Sequence, residues 1–456
     1  MSISERLDRL PATPLLRKII VIAGLGLMFD AMDQGMVAGV NAAVSVDWAL
    51  SAFQQGFLLN SGLIGMLLGA LISGLAADRW GRRTVVLVTL LVFSAGSFLC
   101  GLAPTFELLL VFRFITGIGL GGELPVITTM VSEFSSLKNR GRNVVVVESF
   151  WAWGWILAAL VAFLVIPLDG FGWRAAFFIG AVPALFAAAL RFLIPESPRF
   201  LEQKGRLEEA EGVVGAMERS AGIEMAARET QAPAPAPAPA PSSVATAIAS
   251  ALNAFVSLWK KEYRRSTVVL WVLWFGVNLG YYGFVLWMPK FFVAQDYGLA
   301  SAFMVVLIMS LAQLPGYLTA AILIEKIGRK PVLLIFLVGF ACAAWFFGHA
   351  NSQGLVLLFG CLMYFFALGT WGCIYSYTPE LYPTAIRTSG AGAASAFGRI
   401  GAIIGPLIVP TMYAFFGEAN GFELVFAVLA AVFLLVALVV ALLGKETKGK
   451  VIQEAE

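Results

Sequence analysis

The sequence predicts an all-α membrane protein: twelve transmembrane helices in two six-helix halves, with both termini in the cytoplasm. Three observations predict it. Of 456 residues, 59% are hydrophobic and only 13% charged, about half the charged share of an ordinary soluble domain. Apolar runs of roughly 20 residues, long enough to cross a bilayer, recur along nearly the whole chain. Charged signals also repeat at one fixed offset between the first and second halves. An outer-membrane barrel would show short alternating segments instead, and the sequence has none. Net charge is +3, and nothing in its distribution points to nucleic acid.

The runs fall at 17–43, 54–77, 84–103, 107–133, 143–167 and 173–194, then at 266–289, 299–323, 331–349, 354–379, 389–414 and 422–443. They divide the chain into a first half (1–194), a cytoplasmic linker (195–265) and a second half with its tail (266–456). With the N-terminus inside, Arg79, Arg82, Arg83, Lys138, Arg140, Arg142, Lys326, Arg329, Lys330, Arg387 and Lys445 all lie on the cytoplasmic side. The opposite loops hold almost no Lys or Arg, Arg174 and Lys290 at helix ends being the exceptions. The positive-inside rule therefore sets the orientation.

The linker opens with Pro195-Glu196-Ser197-Pro198-Arg199. Leu207, Ala210, Val213, Val214 and Met217 follow at helical spacing, as in a short amphipathic helix. Gln231 to Pro241 alternates Ala and Pro, either a stiff extended spacer or a tolerated linker. Ile248, Leu252, Phe255, Val256 and Trp259 form a second amphipathic segment, expected along the inner leaflet. The cysteines Cys100, Cys342, Cys361 and Cys373 sit in apolar runs without metal-ligand spacing, so they read as packing residues and no metal is expected. The first run is too long for a cleavable signal peptide and passes through Asp30 and Asp33. No Asn-X-Ser/Thr acceptor occurs, which suits a bacterial protein.

Gly81 and Gly328 stand in matching loops after spans two and eight, offset by 328 − 81 = 247. Glu133 and Glu380 (380 − 133 = 247) and Arg140 and Arg387 (387 − 140 = 247) close spans four and ten. One offset implies two homologous halves in the same orientation, an arrangement that places substrate at their junction near the midplane. Asp78, Arg82, Glu133, Arg140, Glu325, Arg329, Glu380 and Arg387, with Glu196, therefore read as a cytoplasmic charge network. Topology alone would explain the arginines but not their acidic partners.

Five charges have no counterpart. Shifted by 247, Asp33 falls on Gly280, Arg113 on Gly360, Glu123 on Thr370 and Glu148 on Ser395, while Arg399 shifts back to Ala152. A charge inside a bilayer is costly and is kept where it meets a partner or a water-filled path. Counted from Lys18, Asp33 lies roughly 22 Å above the inner edge of the hydrocarbon core; Arg113, counted from Glu107, lies at roughly 21 Å. Matching depth predicts an Asp33–Arg113 pair, with Asp30 about one turn lower and Glu123 lower still. Asp33 is ionised while paired and able to take a proton when the two separate. With Asp30 beside it, the pair is the expected proton-coupling group; a permanent structural ion pair is the alternative. His349, near an outer helix end, is no relay.

Arg399, counted from Ser389, lies about 15 Å deep, close to the midplane. Its guanidinium matches a carboxylate through two parallel hydrogen bonds, which suits an acidic substrate. Alternatively it pairs internally with Glu123, Glu148 or Asp30. Trp151, Tyr281, Tyr282, Tyr364, Trp371 and Tyr375 either stack on a flat ring substrate or pack in the core and against lipid. Asn278 and Gln313 either bind substrate or bond across helices, and Gly65, Gly69, Ser73 and Ala77 read as a helix-packing ladder. No phosphate loop or catalytic dyad is present, so neither an enzyme nor a cofactor is expected.

Asp78-Arg79-Trp80-Gly81-Arg82-Arg83 and its second-half echo resemble the signature of the major facilitator superfamily. Arg113-X-X-X-Gly117-X-X-X-Gly121, Arg140-Gly141-Arg142 and Pro195-Glu196-Ser197-Pro198-Arg199 resemble its sugar-porter and organic-ion branch. Two departures speak against a sugar: the seventh span lacks the paired glutamines, and Tyr375 stands where sugar porters carry tryptophan. Met28-Phe29-Asp30-Ala31-Met32-Asp33, Glu148-Ser149-Phe150-Trp151 and Tyr377-Thr378-Pro379-Glu380-Leu381-Tyr382-Pro383-Thr384 resemble bacterial niacin transporters and their synaptic-vesicle-protein-like relatives. Asp30-X-X-Asp33 is also similar to the first-span motif of aromatic-acid/proton symporters, with Ala31 in place of their glycine.

The resemblance implies a monomeric alternating-access carrier in a bacterial inner membrane. Its cargo would be a small aromatic carboxylate, nicotinate first, taken up with protons. It also implies that Asp33 and Arg113 match the sugar-porter ion pair, that Arg399 matches an arginine attending the substrate's charge in organic-anion carriers, and that spans five, seven and ten line the cavity. The cytoplasmic network would latch the outward-facing state. The rival readings are another aromatic-acid symporter, an organic-cation or drug exporter, and a non-transporting membrane receptor.

Overall fold

The computed structural model describes residues 3–11, 13–136, 139–168, 171–183, 194–222, 255–294, 298–382 and 384–448. Nearly all of these are helical, and no strand occurs among them. The first series is α1 (Ile3–Arg9), α2 (Pro14–Asp47), α3 (Ala52–Trp80), α4 (Arg82–Leu102), α5 (Phe106–Phe134), α6 (Arg140–Leu164) and α7 (Gly172–Gly180). The linker contributes α8 (Pro198–Gln203) and α9 (Leu207–Ser220). The second series is α10 (Arg264–Val285), α11 (Met288–Ala294), α12 (Leu299–Leu311), α13 (Gln313–Ile327), α14 (Arg329–Gly348), α15 (Gln353–Glu380), α16 (Thr384–Ile404) and α17 (Ile408–Leu443). Ten stretches among the described residues are long and apolar enough to cross a membrane. Helix α2 holds the first expected span, and the sixth is described as far as residue 183.

Spans seven, eight and eleven are broken where the sequence reads as continuous apolar runs, and prolines explain the breaks. A proline lacks an N–H and crowds the carbonyl four residues back. Helix α10 ends at Val285, four before Pro289, and α12 ends at Leu311, four before Pro315. Pro406 lies in the 3₁₀ turn Gly405–Leu407 that follows α16. Gly417, at φ 75°, then kinks the chain inside α17 between spans eleven and twelve.

Two compact units emerge from packing: Met1–Met36, Ser61–Ala158 and Asp169–Ala240 in one; Val37–Asn60, Ala159–Leu168 and Pro241–Glu456 in the other. Segments 37–60 and 159–168 belong to the first half by repeat but pack within the second unit. There Lys290 Nζ donates to Ser45 Oγ at 3.0 Å, and a Cβ on Gly56 would touch Leu407 and Pro410. The repeat records homology and packing records contact, so the two divisions differ.

Within the first unit, α3 and α5 approach to backbone contact. A Cβ on Gly65 or Gly69 would strike the carbonyl oxygen of Phe114 or Ile118, which gives the small-residue ladder its packing role. The same contact recurs 247 residues on in the second unit, where a Cβ on Gly316 would strike the Phe365 carbonyl. At the cytoplasmic end of the first unit, Ile3, Leu7 and Leu10 join Leu201, Ala210, Val214 and Met217 in one apolar cluster. Arg6 pairs with Glu218 at 2.5 Å and Arg199 with Asp8 at 3.2 Å. The apolar face expected on α9 is thus covered partly by an N-terminal helix that the hydropathy reading did not resolve. In the second unit, Phe255 and Trp259 pack on Trp271, with ring centroids 5.9 and 5.2 Å apart. Ile248, Leu252 and the Ala-Pro tract lie outside the described residues.

Candidate functional site

The repeated cytoplasmic loops build the same structure twice. Each begins with a glycine at positive φ, Gly81 at 97° and Gly328 at 102°, immediately before α4 and α14. A helix start leaves N–H groups without intrahelical partners, and glycine has no side chain to cap them. In the first unit a distant carboxylate caps instead: Glu196 Oε1 accepts from the N–H groups of Arg82 and Arg83 at 3.0 and 3.2 Å. In the second unit Glu446 accepts from Arg329 and Lys330, both at 3.0 Å. Side chains at Gly81 or Gly328 would collide with these carboxylates. Arg82 then pairs with Glu133 at 3.1 Å and reaches the Ala77 carbonyl at 3.0 Å. Arg329 pairs with Glu380 at 3.1 Å, with Glu325 at 3.3 Å, and reaches the Ile324 carbonyl at 3.5 Å. Arg387 Nε donates to the Tyr382 carbonyl at 3.4 Å. The side chains of Asp78 and Arg140 lie outside the described residues.

Glu446 was not legible from the repeat, because 446 − 196 = 250 departs by three residues from the offset of 247. Its position just past the last span, as Glu196 stands past the sixth, was the available signal. Burial alone would raise its pKa. The backbone donors of Lys448, Arg329, Lys330 and Thr447 more than offset this and hold the carboxyl below its ordinary 4.5.

Asp33 and Arg113 form a buried ion pair, Nη1 to Oδ2 at 2.7 Å. Ser97 Oγ lies 3.1 Å from Asp33 Oδ1, a partner that a search for charges alone passes over. The Phe177 ring lies 5.7 Å from the guanidinium. Glu123 lies lower than Asp30, against Gly26 one turn down α2, yet the two carboxyl groups are neighbours. The reason is side-chain reach. Arg113 and Glu123 are ten residues apart on α5, about 15 Å, and Asp33 and Asp30 three apart on α2, about 4.5 Å. The long side chains on α5 converge on the short ones of α2. Glu148 and Trp151 are half-buried on α6 in the same unit.

In the second unit the rings of Tyr281, Trp371 and Tyr375 gather around Trp274, which the sequence reading had not named. Trp274 lies 5.6 Å from Trp371 and 5.7 Å from Tyr375, and Trp371 stacks on Tyr375 at 5.7 Å. Tyr281 reaches Trp371 at 6.1 Å and Tyr282 at 5.4 Å; Tyr364 joins through Phe284. Arg399, half-buried on α16, has Tyr282 and Tyr375 as neighbours. It makes no ion pair or hydrogen bond among the described residues. Asn278 Nδ2 donates to the Trp274 carbonyl on its own helix at 2.7 Å. Gln313, 1% exposed at the break between α12 and α13, has no partner for either amide atom among the described residues.

A doubled helical membrane fold with buried charges found in only one half each is that of a secondary transporter, and not of an enzyme. The chain belongs to the sugar (and other) transporter family, whose model matches residues 20–456, and it has the twelve-helix major facilitator fold. It is 42% identical over 453 residues to the niacin transporter NiaP of Acinetobacter baylyi, covering 99% of both chains. It is 41% identical over 434 residues to the putative niacin/nicotinamide transporter NiaP of Bacillus subtilis, covering 95% of this chain and 96% of that one. Among solved structures, the partially occluded inward-open xylose transporter XylE from E. coli superposes with a TM-score of 0.73 at 22% identity, over 96% of this chain and 99% of that one.

Proposed function

We propose that this transporter takes up nicotinate together with protons across a bacterial inner membrane, as a monomer working by alternating access. Arg399 carries the substrate reading: a half-buried guanidinium with no anionic partner among the described residues, beside an aromatic cluster suited to a flat ring. Such a group attracts a carboxylate and disfavours a cation, so an organic-cation exporter fits it poorly. The names of the two bacterial relatives support the same cargo. Asp33, Arg113 and Asp30 lie in the proton-coupling region, since protonation of a buried carboxylate changes which helix contacts it favours. Gln313 supplies amide hydrogen bonds. The doubled cytoplasmic motifs act as the latch that holds one transport state.

Titration of purified protein with nicotinate tests the anion site. A hydrogen bond to a charged group is worth about 1.5–3 kcal/mol, so Arg399→Ala should weaken nicotinate binding roughly 10- to 150-fold. Uncharged nicotinamide should lose much less. Equal affinity of wild type and variant for nicotinate would remove the anion site from Arg399.

A further inference from the structure

Asp30, Asp33, Arg113 and Glu123 are all buried within the membrane-spanning part of the first unit. Arg113 and Asp33 satisfy one another, with Ser97 in support. The remaining two are left over. Asp30 is 1% exposed and Glu123 0%, and among the described residues none of their four carboxyl oxygens has a hydrogen-bond donor. They lie within hydrogen-bonding reach of one another, but two carboxylates only accept, so their contact becomes a bond when one of them carries a proton. The sequence makes room for this approach. A Cβ on Gly26, one turn below Asp30, would stand 2.5 Å from Glu123 Oε1.

The charges facing the pair are few. On α2, Asp33 is engaged by Arg113 of α5, and Arg17 and Lys18 stand at the cytoplasmic start. On α5, Glu107 lies at the outer end. On α6, Glu148 shares the stripe of Trp151 and Trp155. It sits near the level of Gly24, which faces Phe150, and its Oε2 has no partner among the described residues. Helices α3 and α4 carry charged side chains only near their cytoplasmic ends, with the Cys100 thiol near the outer end of α4, and Arg174 opens α7. No cation in this set is free to neutralise two adjacent buried carboxylates. Two like charges in a weakly polarisable site repel strongly. One shared proton removes a charge and supplies the missing donor.

We propose that Asp30 and Glu123 form the proton-binding site of the carrier, holding one shared proton while Asp33 stays paired with Arg113. The proposal rests on the reading of transport as proton-coupled and names the carboxyls that bear the proton. The two carboxylates of the Asp30–Asp33 segment then divide the work: one exchanges protons, the other anchors α2 to α5. Glu148 stands on the cytoplasmic side of the pair, where a proton would leave or enter.

Infrared difference spectroscopy of the full chain in detergent, without substrate, tests the site itself. Wild type should show the C=O stretch of a buried protonated carboxyl at neutral pH, shifting in deuterated water. Both Asp30→Asn and Glu123→Gln should lose it, because the new amide donates to the remaining carboxylate and lets it ionise. No such band in wild type, or a band surviving in both variants, overturns the proposal. In proteoliposomes, Glu123→Gln should also lose accumulation driven by a pH gradient, and undiminished accumulation would equally overturn it. The infrared result needs no cargo, so it stands apart from any failure of the nicotinate reading.

Discussion

Replacing Arg113 with alanine is expected to cost about 3–5 kcal/mol of stability, the range found when one partner of a buried ion pair is removed. Asp33 has no exposed surface and Arg113 only 2%, and their bond of 2.7 Å is the main compensation for both charges. Without the guanidinium, the carboxylate keeps only Ser97 Oγ. It must then bind a proton or draw water into the bundle, and either response disturbs α2 where it packs on α5. Adding Asp33→Asn in the same chain removes the orphaned charge and should recover a large part of the loss. Thermal or denaturant unfolding in detergent measures both. A loss below about 1 kcal/mol for Arg113→Ala would place this pair with solvent-screened ones, and an unrescued double variant would mean that lost packing outweighs charge.

Gly69→Val should be comparably severe. A Cβ at Gly69 would meet the Ile118 carbonyl oxygen, its carbonyl carbon and its Cα, all of them backbone. Overpacking costs about 1–3 kcal/mol where side chains can yield. Here only movement of a whole helix relieves the clash, so the loss should reach or exceed the upper end of that range. Low yield of monodisperse protein and a depressed unfolding midpoint would register it. Gly74→Val, on the same helix with nothing within 4 Å of its Cβ, is the control and should behave as wild type. Gly69→Val unfolding at the wild-type midpoint would show that α3 and α5 are not held in backbone contact.

The same physics explains which parts could be read from sequence. Twelve spans and two halves follow from run length and a repeat at 247, because lipid imposes both on any chain that crosses it. Arg82, Glu133, Arg329 and Glu380 were legible as members of a charge network written twice; which partner each takes, Glu133 for Arg82 and Glu380 for Arg329, came from packing. Asp33–Arg113 was legible because depth along a straight helix is simple arithmetic. That arithmetic takes no account of side-chain length, so it did not bring the carboxyls of Asp30 and Glu123 together. The bond of Asn278 within its own helix was not legible either, since it depends on local geometry. Prolines 289, 315 and 406 announced the broken spans plainly, but a hydropathy reading averages over them. Ser97 and Trp274 carried no charge or motif to mark them, and only packing brings them to Asp33 and to the aromatic cluster.

Proton-coupled uptake of nicotinate is tested with proteoliposomes whose outside is more acidic than the inside. Labelled nicotinate should accumulate above the equilibrium level, lose that accumulation on adding a protonophore, and show none without the gradient. Nicotinate that binds the purified protein yet never accumulates under any imposed proton gradient would contradict it.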